Sequence, residues 1–218
     1  MVLRSNMVKA ILFDFWGTLV ENGVWSPTKQ VQNILNIRLP FSEYVVRMEK
    51  AMMTSSFENL NEAFRAVCME FAIEPKEQLL DQLVGMWNKN WMLARPYPEV
   101  EKILQELRQQ YKIYLVTNSD SFGVQKVMEK FGMKSWFDAI FLSCNMNVLK
   151  TDKNFLNQVL SEANLSPDDC VFVGDSIQSD MAAAERADMK GILVDRSGTR
   201  EFEVKITSLS ELTQVLAP

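Results

Sequence analysis

Four polar stretches in this sequence each follow a run of apolar residues. Asp14 closes the run Val8 to Phe13 and leads into Phe15-Trp16-Gly17-Thr18. Thr117-Asn118-Ser119 closes Ile113 to Val116, and Lys150 follows Ala139 to Leu142 after a short loop. Asp175-Ser176-Ile177-Gln178-Ser179-Asp180 follows Cys170 to Val173 and Gly174. Brought together, they would supply three carboxylates, one ammonium and several hydroxyls. Three adjacent carboxylates repel one another, and a bound divalent cation is the natural way to keep them ionised. An all-oxygen donor set without His or Cys suits Mg²⁺. Lys150 and the N–H groups of the first turns, at Phe15, Trp16, Asn118 and Ser119, add a pocket for an anion such as a phosphoryl group. Cation, anion pocket and a carboxylate able to attack describe phosphoryl transfer.

These stretches meet only if the apolar runs lie side by side in one sheet. From Glu99 onward the pattern alternates. Helix Glu99 to Gln110 precedes strand Ile113 to Val116, and helix Phe122 to Phe131 precedes strand Ala139 to Leu142. Helix Lys153 to Ala163 precedes strand Cys170 to Val173, and helix Gln178 to Ala187 precedes strand Gly191 to Val194. Such alternation predicts βαβ units, a parallel sheet and right-handed crossovers, with the carboxyl ends of the strands lining one crevice. A short strand near Val204 to Ile206 and a C-terminal helix capped by Ser208, with Glu211 three residues on, complete the pattern. Thr117-Asn118-Ser119 also reads as the cap of the helix that follows it. Pro27 to about Leu93 shows helical spacing only, as at Phe64, Val67, Cys68 and Phe71. The expected fold class is therefore α/β, a Rossmann-like parallel sheet interrupted after its first strand by an all-helical insertion. Residues 1–19 and 95–218 would form the core, and residues 20–94 the insertion.

The composition narrows the remaining possibilities. With 218 residues, 47% apolar, the chain can bury a sizeable core. A net charge of −5 without a long Lys/Arg run argues against nucleic-acid or membrane-surface partners and for small molecules or proteins. The absence of histidine removes the Ser-His-Asp and Cys-His arrangements and most zinc sites. Cys68, Cys144 and Cys170, widely spaced, read as free thiols of a reducing compartment. The apolar run Ala10 to Phe13 is too short for a signal sequence or a membrane span, Met7 reads as an alternative start, and a cytoplasmic location is expected.

In LFDFWGTLV, LVTNS, Lys150 and VFVGDSIQSD, in that order along the whole chain, the sequence resembles the haloacid dehalogenase superfamily of hydrolases. The resemblance implies a helical cap inserted after the first motif and a phosphatase acting on a small phosphorylated metabolite. It makes Asp14 the nucleophile of an aspartyl-phosphate, has Thr117 and Lys150 bind the transferring group, and gives Mg²⁺ to Asp14, Asp175, Asp180 and the backbone carbonyl of Trp16. Family phosphatases usually carry a second Asp two residues after the nucleophile as general acid and base; here that residue is Trp16. Losing this group costs about 10²- to 10⁴-fold, which predicts a preference for acyl or activated aryl phosphates. Dehalogenase members also lack the second Asp, so attack on a carbon–halogen bond stays open, as does a silent phosphate-binding role. Trp25, Trp91 and the Met86 to Met92 stretch read first as packing residues, and Arg47, Lys50 and Arg65 as solvated cations.

Overall fold

The computed structural model describes residues 8–216, so the Met7 start lies outside it. In chain order its strands are β1 (Ala10–Phe13), β2 (Val20–Glu21), β3 (Arg95–Pro96), β4 (Lys112–Thr117), β5 (Ala139–Leu142), β6 (Cys170–Gly174), β7 (Lys190–Val194) and β8 (Lys205–Ile206). The α-helices are α1 (Pro27–Ile34), α2 (Phe41–Met53), α3 (Leu60–Glu70), α4 (Glu77–Leu93), α5 (Val100–Leu107), α6 (Gly123–Phe131), α7 (Ser143–Met146), α8 (Phe155–Ala163), α9 (Ala182–Arg186) and α10 (Leu212–Val215). Six strands form a sheet of order β5-β4-β1-β6-β7-β8, parallel throughout. The chain runs outward from β1 first on one side and then on the other. β1 is therefore the switch point, and the crevice opens over the ends of β1, β4 and β6.

Both faces of this sheet are covered, which is why its strands read as unbroken apolar runs. Ile11, Phe13, Ile113, Leu115, Val171 and Val173 face α5, α6 and α10. Their alternates Leu12, Val116 and Phe172 face α8 and α9. Helices α1 to α4 bury a separate core of Val31, Tyr44, Met48, Met52, Phe64, Val67, Leu80 and Trp87, into which Leu149 also packs. The two passages between sheet and helices are paired, Val20 with Pro96 and Glu21 with Arg95 in an antiparallel ribbon. That ribbon is too short to leave a periodicity in sequence.

Several local expectations shift. The first strand begins at Ala10, not Val8. The single helix expected over Gln178 to Ala187 is instead a π-turn over Ile177–Met181 followed by α9. The wider turn has a local cause: Ser176 donates its backbone N–H to Asp180 Oδ2 at 2.9 Å and accepts the Ser179 N–H on its hydroxyl at 3.1 Å. A π-turn of this kind is common where a side chain must be aimed. Asp120, not Thr117-Asn118-Ser119, opens α6, its Oδ1 accepting the Phe122 and Gly123 N–H groups at 2.8 Å. The C-terminal capping box of Ser208 and Glu211 forms as expected.

Candidate active site

Asp14 is the first residue beyond β1, its N–H donating to the Val173 carbonyl at 2.9 Å, so its side chain stands at the mouth of the sheet. Lys150 reaches it from the loop after α7. The buried ammonium donates to Asp14 Oδ1 and, at 2.6 Å, to Asp180 Oδ1. Asp14, Asp175 and Asp180 each present an oxygen within 4.8 Å of the others. Two glycines make the approach possible: a Cβ on Gly17, whose φ is +78°, would run into the Asp175 carboxylate, and one on Gly174 into that of Asp180. Next to the cluster lies a cavity of about 290 Å³, walled in part by Trp16, Asn22, Glu49, Asn90, Trp91 and Asn118.

The charges do not balance. One ammonium faces three carboxylates, so it gains from two partners while each carboxylate also feels the others. Burial alone would lower the pKa of Lys150, but Asp14 and Asp180 outweigh it and raise it, keeping the ammonium charged. Asp14 moves up, because burial and the Asp180 charge exceed the pull of Lys150. Asp175 also moves up, through burial and the charges of Asp14 and Asp180. A compact all-oxygen set with surplus negative charge fits a hard divalent cation such as Mg²⁺, which would relieve both shifts. The donor chemistry thus agrees with the cofactor expected from sequence.

Of the other expected residues, Thr117 is buried at the end of β4 and lines the cavity with Asn118 and Trp16. The side chains of Phe15 and Ser119 are turned away, and the Ser119 N–H, expected to face the anion, donates instead to the Ser143 hydroxyl at 3.1 Å. Phe15 packs in the sheet core, and the Ser119 hydroxyl donates to the Asp120 carbonyl at 2.7 Å. Arg47 and Arg65 pair with Glu70 and Glu77 on the surface of the helical block, and Trp25 is 72% exposed. Trp91 reaches the cavity wall.

Two acidic residues of this cavity were not singled out from sequence. Asp120 accepts the Trp87 indole N–H at 2.9 Å, tying α4 to the start of α6. Glu49, on α2, accepts a hydrogen bond from Asn118 Nδ2 at 3.0 Å. Burial pushes the Glu49 carboxyl up to about 7, with Asn118 and Lys150 opposing and Asp14 and Asp180 adding. Its neighbours one turn away are Val45, Met52 and Met53, so a carboxylate at the margin of an apolar stripe is the available signal.

The description "haloacid dehalogenase-like hydrolase" matches residues 8–188. Over 205 residues the chain is 22% identical to the glyceraldehyde 3-phosphate phosphatase of Methanopyrus kandleri, spanning 90% of this chain and 88% of that protein. The HAD-hydrolase YfnB of Bacillus subtilis, solved bound to magnesium, superposes with a TM-score of 0.67 at 21% identity, covering 96% of this chain and 99% of that one. A 2-haloacid dehalogenase of Pseudomonas syringae superposes equally well, with a TM-score of 0.67 at 19% identity over 96% and 98% of the two chains. Among the described residues no helix is long and apolar enough to cross a membrane.

Proposed function

The chain belongs to the haloacid dehalogenase-like hydrolases, and we propose that within this family it is a Mg²⁺-dependent phosphatase acting on a small phosphorylated metabolite through an aspartyl-phosphate on Asp14. The observation that carries this reading is the surplus of carboxylates over cations beside a small, partly polar cavity. A halide-releasing enzyme needs no cation and gains nothing from Asp175, a carboxylate left without a compensating partner. The curated relative named as a phosphatase across most of its length supports the same choice.

In this reading Asp14, Asp175, Asp180 and the Trp16 carbonyl would hold the cation. When bound, it neutralises charge on the transferring phosphoryl group. Asp14 attacks phosphorus, forming a carboxyl O–P bond as the P–O bond to the leaving group breaks. Lys150 orients the nucleophile and faces the developing negative charge with an ammonium that stays protonated. Thr117 and Asn118 hold phosphoryl oxygens from the end of β4. Water then attacks the phosphorus of the aspartyl-phosphate, releasing phosphate and regenerating Asp14. Residues 20–94 act as a cap that closes the cavity over the substrate and excludes bulk water.

Turnover of 4-nitrophenyl phosphate with and without Mg²⁺, beside halide release from a 2-haloacid, tests the reading. Phosphate release that requires Mg²⁺ is expected. Halide release without metal would replace this reading with dehalogenation, and neither activity would leave a binding role.

A further inference from the structure

We propose that Glu49, supplied by helix α2, is the general acid and base of this site, doing from the helical block what a carboxylate at position 16 would otherwise do. The proposal rests on the phosphatase reading above and deepens it.

Three observations converge on Glu49. First, its place is fixed by a chain of bonds leading to the nucleophile. Asn118 accepts the Lys150 backbone N–H on Oδ1 at 2.7 Å, which sets the orientation of the amide and leaves Nδ2 to donate to Glu49 Oε2 at 3.0 Å. The ammonium of the same Lys150 is bonded to Asp14. Second, α2 is pinned where it carries this residue. One turn beyond Glu49 on the same face, the Met53 carbonyl accepts the Ser143 hydroxyl at 2.6 Å, and Ser143 in turn accepts the Ser119 N–H at 3.1 Å. Third, Glu49 and Asp14 line the same cavity, and Trp16 in that wall carries no group able to donate and take a proton at neutral pH.

With Oε2 accepting from Asn118, the acidic proton sits on Oε1, the oxygen without a hydrogen-bond partner among the described residues. In the first step that proton passes to the leaving-group oxygen as its bond to phosphorus breaks, so an alcohol departs and Glu49 becomes a carboxylate. In the second step the carboxylate takes a proton from the attacking water as the new P–O bond forms and the acyl–phosphate bond breaks. Glu49 ends protonated, as it began. A carboxyl pushed up to about 7 is matched to both duties near neutral pH. The ionisable groups that face it are Asp14 from the end of β1, Asp180 from the turn after β6, Lys150 from the loop after α7 and Tyr44 from its own helix.

The test compares kcat/KM of the full chain and its Glu49→Gln variant, with Mg²⁺, on alkyl phosphates and on 4-nitrophenyl phosphate, whose leaving group departs without protonation. Alkyl phosphate turnover should fall by about 10²- to 10⁴-fold. The loss on 4-nitrophenyl phosphate should be much smaller, and that retained turnover certifies the fold. The alkaline limb of the kcat/KM profile for alkyl phosphates should vanish in the variant, and Glu49→Asp, which keeps an acid, should recover part of the alkyl activity. An equal loss on both substrates, with Glu49→Asp no better than Glu49→Gln, would make Glu49 a packing residue and overturn the proposal. So would no loss on either, while the phosphatase reading stands. A wild-type protein inert toward every phosphate ester would overturn both.

Discussion

Asp175 and Asp195 each follow a buried strand, on neighbouring strands of the same sheet, yet their surroundings push them in opposite directions. Asp195, after β7, accepts the Arg200 backbone N–H at 2.6 Å, the Ser197 hydroxyl at 2.8 Å and Arg200 Nε at 3.1 Å. Burial works against its charge, but these bonds outweigh it and hold the carboxyl well below the usual range. Asp175, after β6, is raised by burial and by Asp14 and Asp180, and its own loop gives the side chain no comparable partners. Standing at a strand end is therefore not what marks a functional carboxylate. The mark is a charge that its own neighbours leave uncompensated, which in the proposed reading is met by the bound cation. The two are linked, since Arg200 also donates to the Asp175 carbonyl, so the satisfied carboxylate braces the backbone of the unsatisfied one.

If that contrast is right, substitutions at under-compensated carboxylates should cost activity and those at satisfied ones should cost stability. The largest effect is expected for Asp14→Asn, which keeps the side-chain shape but removes the nucleophile. Turnover should fall on the order of 10⁴- to 10⁶-fold, with the circular dichroism spectrum unchanged. Next, Asp175→Asn should weaken Mg²⁺ by more than about 10-fold in calorimetric titration, whereas Asp195→Asn should leave Mg²⁺ affinity within that factor and lower Tm. A reversal of that pattern would break the comparison.

Acidity separates the pair further. In Mg²⁺-free buffer a raised Asp175 keeps a proton in the folded state that the unfolded chain releases, so its contribution falls as pH rises from about 4 to about 7. Asp175→Asn should match wild type near pH 4 and exceed its Tm near pH 8. The depressed Asp195 has the opposite sign. Its stabilisation is present above the usual carboxylate range and is lost as acid protonates it, so Asp195→Asn should trail wild type at pH 7 and approach it only in strong acid.

The smallest effect is expected at Trp16. With Glu49 already donating a proton, Trp16→Asp should raise alkyl phosphate turnover by less than about 10-fold. A gain of about 10²-fold or more would mean that the site has no acid to begin with.

What was legible in the sequence follows the same physical divide. The sheet was readable because strands buried on both faces must be apolar throughout, as Ile113 to Val116 and Cys170 to Val173 are. Asp14, Thr117 and Asp175 were readable because each stands at the end of such a run, and Lys150 and Asp180 because they complete the ordered motifs that follow β5 and β6. Glu49 and Asp120 were hidden because their local signals are weak: for Glu49 only a place at the margin of an apolar stripe, for Asp120 none. Glu49 looks like any polar residue on an amphipathic helix until α2 is laid against the end of β4. Asp120 looks like a loop residue until Trp87 arrives from α4. The β2–β3 ribbon was missed for the same reason: its two halves lie far apart in sequence and carry no pattern. Convergence was visible where a parallel sheet dictates it, at the ends of neighbouring strands, and hidden where it depends on how the inserted helices dock against them.

The central claim is that Asp14 carries the phosphoryl group. Mixing the protein with a phosphate monoester and Mg²⁺, quenching in acid and weighing its peptides tests it directly. The expected result is one added phosphoryl group on the peptide containing Asp14, gained with substrate and lost as turnover ends. Phosphate release without that adduct at any time, with the same release from Asp14→Asn, would contradict it.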